Sequence, residues 1–214
     1  MRYSPPRSTA INEGTARPII GYLAYKQQIK QTQSARWLQN KLGHSLKVCI
    51  FTPMDYLWHY DSPLGGMTMV SYGQALTALQ FDRPRASSEG AGDRREISRL
   101  PVFEDTCRWL DHYFRGQVPD FTPALALRGT PFRQAVWGIL LTIPYGQTLS
   151  YGEIAARLAS PRMSAQAVGG AVGHNPVAII VPCHRVIGAD GSLTGYAAGL
   201  DKKRRLLQLE KIIK

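Results

Sequence analysis

The period of the apolar positions changes along this chain. Residues 1–54 keep no sustained period; Pro and Ser cluster at the start, and "AYKQQIKQTQSARWLQNKLG" (24–43) reads as a basic helix ending at Gly43. In residues 55–81, "DYLWHYDSPLGGMTMVSYGQALTALQF", strand-like alternation is broken by the turn signals "DSPLGG" and "YGQ", which predicts a small antiparallel meander. A loop rich in Gly, Ser and charge follows from Arg83 to Arg95. Within "RLPVFEDTCRWLDHYFRGQ", Val102, Cys107, Leu110 and Phe114 recur at helical spacings, with Gly116 as a stop. "PDFTPALALRGT" reads as a linker.

From residue 130 the helical signals sharpen. "TPFRQAVWGILLTI" offers Thr130 as N-cap, Pro131 in the first turn, and Phe132, Val136, Trp137, Leu140 and Leu141 on one side. "IPYGQT" is a turn, and Ser150 with Glu153 forms a capping box opening "SYGEIAARLAS". After the short "PRM" comes "SAQAVGGAVGHNP", with Ser164 as a further N-cap. Two short helices with a tight connection resemble a helix-turn-helix. The second is unusual: Ala165, Ala167, Gly169, Gly170, Ala171 and Gly173 present almost no side-chain bulk. Glycine costs roughly 1 kcal/mol per helical position, so something must come close. Either another helix packs there or a nucleic-acid backbone does. Next, the apolar run "VAIIV" (177–181) ends in "PCH". In a strand, Cys183 and His184 would point to opposite faces, and adjacent residues rarely act as nucleophile and base.

Composition narrows the class. A chain of 214 residues with 44% hydrophobic content suits one or two domains with a real core. No run approaches the ~18 apolar residues of a membrane span, and the N-terminus has no apolar h-region of a secretory signal. Cys49, Cys107 and Cys183 are odd in number and scattered, which fits a reducing, intracellular setting. Cys107 and His112 read as ordinary helix residues, so no metal is expected. The net charge of +11 is unevenly spread: +7 over residues 1–54, −2 over 55–128 and +6 over 129–214. That asymmetry suits a polyanion, nucleic acid above all.

Three separated pieces then carry a resemblance: "GTPFRQAVWGILLTIPYGQTLSYGEIA", "AVGGAVGHNPVAIIVPCHRVIGADGSLTGY" and "KKRRLLQLE". In order and spacing they are similar to the O6-alkylguanine-DNA alkyltransferases, the direct-reversal DNA repair proteins. Together they cover nearly all of residues 129–210. Residues 55–128 resemble the family's more variable N-terminal domain, and residues 1–54 match nothing in it.

The resemblance implies a set of roles. Cys183 would accept the alkyl group irreversibly, once per molecule, from O6-alkylguanine, with O4-alkylthymine as a second substrate. His184 would act on the thiol through a bound water, oriented by Glu210. Asn175 would tie the helix-turn-helix to the active-site segment, and Tyr151 would donate a hydrogen bond to the flipped base. Arg185 would hold the domain together rather than reach substrate. Tyr196, Ala197 and Val186 would form the base pocket, and Ala165, Gln166, Ala167, Gly169 and Gly170 would lie against double-stranded DNA from the minor-groove side. No cofactor, metal or membrane is implied, and the protein would be a monomer. There are two departures: Gln166 stands where much of the family has an intercalating arginine, and Ala197 where some members have serine.

The expected fold is α+β. A basic, flexible extension (1–54) precedes a small sheet-bearing N-terminal domain (55–128) and a helical domain (129–214) with the helix-turn-helix. Other classes fit less well. A damage sensor of the alkyltransferase-like kind would lack the acceptor cysteine. A helix-turn-helix regulator needs Arg, Asn or Gln in numbers to read base edges, and a cysteine hydrolase needs an oxyanion site that no motif supplies.

Overall fold

The computed structural model describes residues 55–82, 95–96, 100–158 and 164–214. The basic extension, its expected helix over 24–43 and most of the Arg83–Arg95 loop lie outside these residues.

The meander forms as the alternation predicts. Strands β1 (Tyr56–Ser62), β2 (Gly65–Ser71) and β3 (Leu76–Phe81) pair antiparallel in sequence order. On β2 the period of two buries Met67, Met69 and Ser71 on one face. A two-residue strand, β4 (Arg95–Glu96), adds a parallel edge beside Tyr56 and Leu57. It is too short for any alternation to reveal, and the loop reading gave no hint of it. Helix α1 (Pro101–Phe114) starts at a proline and runs up to Gly116, whose φ of +73° suits a residue without Cβ. Its buried face is Val102, Phe103, Thr106, Trp109, Leu110 and Tyr113.

The stretch read as a linker is instead part of the packing. Leu76 N donates to the Ala124 carbonyl at 2.7 Å and Ala126 N donates to the Leu76 carbonyl at 2.9 Å. Leu125 and Leu127 are buried. Its two prolines mask the apolar Leu125–Leu127 spacing, which is a period of two and belongs to a strand edge.

The second half is helical. Helix α2 (Pro131–Leu140) is capped by Thr130, whose Oγ1 accepts from Arg133 N at 3.3 Å. Gly129 lets Trp137 fold back over the cap: a Cβ there would sit 2.7 Å from the indole ring. Trp137 Nε1 then donates to the Ala171 carbonyl at 2.9 Å, which fastens α2 to the second helix of the helix-turn-helix. Short strands β5 (Leu149–Ser150) and β6 (Val186–Ile187) pair parallel. Helix α3 (Tyr151–Arg157) has both bonds of the predicted capping box. Helix α4 (Ala165–Gly173) is capped by Ser164 through a 3.1 Å bond from Ala167 N, and α5 (Leu200–Leu209) closes the chain. The class is α+β. Among the described residues no helix is long and apolar enough to cross a membrane.

Candidate active site

The apolar run before the cysteine is not a free strand. Leu79 N donates to the Pro176 carbonyl at 2.9 Å and Ala178 N donates to the Leu79 carbonyl at 2.8 Å, so β3 grips the run at one point. Ile179 then adopts φ 68°, a conformation a β-branched residue enters only at a cost of about 1–3 kcal/mol. It is fully buried, and its packing holds it there. The turn feeds a single 3-10 turn, Cys183–Arg185, in which all three side chains are buried. The opposite-face geometry of a strand therefore does not apply. Cys183 and His184 diverge from a turn.

Asn175, just past α4, organises the approach to the cysteine. Its Oδ1 accepts from Val177 N at 3.0 Å, and its Nδ2 donates to the Val181 carbonyl at 2.7 Å and to Cys183 Sγ at 3.0 Å. Burial pushes the Cys183 thiol up, while the Asn175 bond and the nearby Lys203 charge favour the thiolate. Those two do not fully offset burial. A proton acceptor is still required.

His184, next in the chain, is held by Glu210. Its Nε2 lies 2.7 Å from Glu210 Oε1. A carboxylate only accepts, so Nε2 carries the hydrogen and the neutral ring keeps its lone pair at Nδ1. Burial lowers the His184 pKa, with Glu210 opposing, so the neutral ring is favoured. Nδ1 is buried and has no partner among the described residues. Glu210 is tied down on every side. Oε1 also accepts from Tyr113 Oη at 2.8 Å and Arg185 Nη2 at 3.0 Å; Oε2 accepts from Arg185 Nε at 2.9 Å and Gly146 N at 3.2 Å. Burial would raise its pKa, but the bonds and charges of His184 and Arg185 outweigh that and hold it at about 2. Arg185 also donates to the Ile143 carbonyl at 2.7 Å and so braces the domain.

A small cleft opens onto this group. Gly173, Asn175, Ala178, Cys183 and Gly195–Ala198 line it, and Gln80 reaches in from β3. Gln80 Nε2 donates to the Asn175 and Pro176 carbonyls, both at 2.8 Å. Tyr196 and Ala197 therefore lie on the cleft; the Tyr196 hydroxyl is buried without a partner among the described residues. Val186 does not line it. Its side chain is fully buried in β6, and its carbonyl accepts from Lys203 Nζ at 2.6 Å. Lys203 also donates to the Thr194 carbonyl at 2.7 Å, and burial lowers its pKa to about 8. Tyr151 packs its ring beside Gly169 and donates its hydroxyl to the same Thr194 carbonyl at 3.1 Å. Both thus bond the carbonyl that directly precedes Gly195 on the cleft wall.

Among the described residues no helix covers the outer side of α4. Ala165, Gln166, Ala167 and Gly170 are exposed, and a Cβ at Gly170 or Gly173 would meet nothing within 4 Å. Of the two explanations for its small residues, packing against another described helix does not account for these positions.

The family model for the 6-O-methylguanine DNA methyltransferase DNA binding domain matches residues 131–212, and that for the ribonuclease-like domain of the same enzymes matches residues 56–127. The chain belongs to this family. A methylated-DNA–protein-cysteine methyltransferase of Mycobacterium tuberculosis is 49% identical over 157 residues, 72% of this chain and 92% of its own. The protein of that name from Haemophilus influenzae is 42% identical over 158 residues, 73% of this chain and 87% of its own. Among solved structures, Mycobacterium tuberculosis OGT in complex with DNA superposes with a TM-score of 0.64 at 47% identity, covering 73% of this chain and 92% of that one. The two family-model matches together span the cleft, the His184–Glu210 pair and the helix-turn-helix. Residues 1–54 lie outside both family models.

Proposed function

We propose that this protein repairs alkylated DNA by moving the alkyl group from guanine O6 to Cys183 Sγ, once per molecule. The observation that carries this reading is the Cys183–Asn175 pair on the wall of a cleft, with the buried His184–Glu210 pair starting at the next residue. In the reaction the thiol proton leaves to His184 Nδ1 across one water, since buried polar atoms are commonly paired that way. Sγ then bonds the alkyl carbon, the carbon–O6 bond breaks, and its electron pair stays on guanine, which takes up a proton. The imidazolium formed meanwhile is stabilised by the Glu210 carboxylate. Because the product is a thioether with no acid or base able to reverse it, turnover ends there.

A base stacked in a duplex cannot reach Cys183, which is 7% exposed, so the nucleotide must be extruded into the cleft. The exposed small-residue face of α4 lets a backbone approach closely, and Gln166 is the long side chain there. Tyr151 reaches the base by leaving the Thr194 carbonyl, and Tyr196 offers a hydroxyl that has no partner among the described residues. Double-stranded DNA entered from the minor groove is the partner of this reading, with a monomeric protein, O4-alkylthymine as a second substrate, and Ala165, Ala167, Gly169 and Gly170 against the backbone.

Rates on two substrates test it. Transfer should occur from an alkylated duplex and, more slowly, from free O6-alkylguanine; no transfer from either overturns the activity. Gln166→Arg should speed transfer from duplex by up to roughly tenfold, since a planar cation filling the vacated stack needs to supply only ~1.4 kcal/mol. The free-base rate should hardly change. An equal gain on free base would place the effect in the cleft, and no gain on duplex would mean that another residue already fills the stack.

A further inference from the structure

The relay has a member that no motif points to. Tyr113 sits on α1, 71 residues before His184 and 97 before Glu210, outside the helical half that carries Cys183. It is fully buried, and a buried tyrosine usually finds some partner for its hydroxyl. Here the partner is specific. Tyr113 Oη donates to Glu210 Oε1, the same oxygen that takes the His184 hydrogen, and lies 3.3 Å from His184 Nε2 itself. The ring is clamped: it stacks on Trp109 at 5.4 Å and meets Tyr145 and His184 edge-on at 6.1 and 6.2 Å. The hydroxyl has no room to swing elsewhere.

We propose that Tyr113 is a positioning residue for alkyl transfer, holding Glu210 Oε1 on His184 Nε2 and so making the N-terminal domain part of the proton relay. The inference rests on transfer to Cys183 as described above. When Nδ1 takes the thiol proton, the charged ring needs an oxygen fixed at Nε2–H. Glu210 Oε1 provides it, and Tyr113 Oη stands beside it as a second. Without the hydroxyl, the donors left to Glu210 besides His184 itself are Arg185 and Gly146, which draw the carboxylate toward the guanidinium and away from the ring. The base becomes weaker, and forming the thiolate needs a higher pH.

Tyr113→Phe removes one oxygen and keeps the ring packing. Single-turnover transfer from an O6-methylguanine duplex would be followed across roughly pH 6 to 9, which spans the ordinary His and Cys ranges. Transfer should slow by roughly tenfold near neutral pH, with duplex affinity unchanged. The gap should close as pH rises, because the thiol then ionises without help. A loss of the same size at every pH would mean that Tyr113 only packs, and an unchanged profile would mean that its hydroxyl does nothing; either overturns the proposal. Adding Tyr113→Phe to Glu210→Gln gives a second reading: little further loss is expected if the hydroxyl acts through Glu210, and a fully additive loss contradicts that. Wild-type protein run in parallel separates the two ideas. No transfer by wild type overturns the activity, whereas matching wild-type and variant profiles overturn only the role of the tyrosine.

Discussion

Cys183→Ser should abolish alkyl transfer and leave duplex binding within a few-fold. A serine hydroxyl ionises far less readily than a thiol and is a harder nucleophile toward an alkyl carbon, so the proposed relay through His184 should not rescue it. The substitution is nearly isosteric, and Ser can still accept the Asn175 hydrogen bond now made to Sγ at 3.0 Å. Cys183 is buried below the cleft and away from the exposed face of α4, so contacts to phosphates should survive. Gel-shift affinity beside transfer yield checks both halves. Residual transfer would move the acceptor to another cysteine, Cys49 or Cys107, and sink this reading.

Glu210→Ala should cost both stability and rate. It strands the buried Arg185 guanidinium, His184 Nε2–H, the Tyr113 hydroxyl and Gly146 N together. Breaking a buried ion pair from one side costs about 3–5 kcal/mol, readable as a lower denaturation midpoint. Loss of the oriented base should slow transfer by about a hundredfold or more. The same group sets an acid limit. Its pKa in the folded protein is about 2 against an ordinary 4.5, a depressed value, so its stabilisation is fully present above about 4.5 and is lost as pH falls toward 2. That contribution is on the order of 3 kcal/mol, and the alanine variant should lose the acid dependence in that window. A variant as stable as wild type at neutral pH would show that the Glu210 network is not what holds the C-terminal helix.

Much of this architecture is visible in local sequence. Alternation marked the meander, and caps at Thr130, Ser150 and Ser164 marked the helix starts, because both signals act within a few residues. What depended on distant pairing was not visible. The "linker" is an edge partner of β3, and the run before Cys183 is gripped by β3 rather than being a strand itself. Val186 was assigned to the base pocket from its place in the motif, yet the pairing of β6 with β5 turns it into the core. The cysteine, histidine and glutamate were recognisable only through a family pattern, since nothing in "LLQLE" by itself distinguishes Glu210 from a helix-surface acid. Tyr113 and Lys203 were missed altogether. Tyr113 falls on the helical period of α1 and looks like core; only its buried hydroxyl, which needs a partner, hinted at more. Lys203 sits in a run of four cations, "KKRR", where burial of one member cannot be read from composition.

Mass spectrometry of the protein after exposure to excess O6-methylguanine duplex tests the central claim most directly. The peptide containing Cys183 should gain one methyl mass, and repaired guanine should plateau at one per protein molecule. A methyl group on Cys49, Cys107 or no residue at all, or repair continuing past one equivalent, would contradict transfer to Cys183 as a single-use reaction.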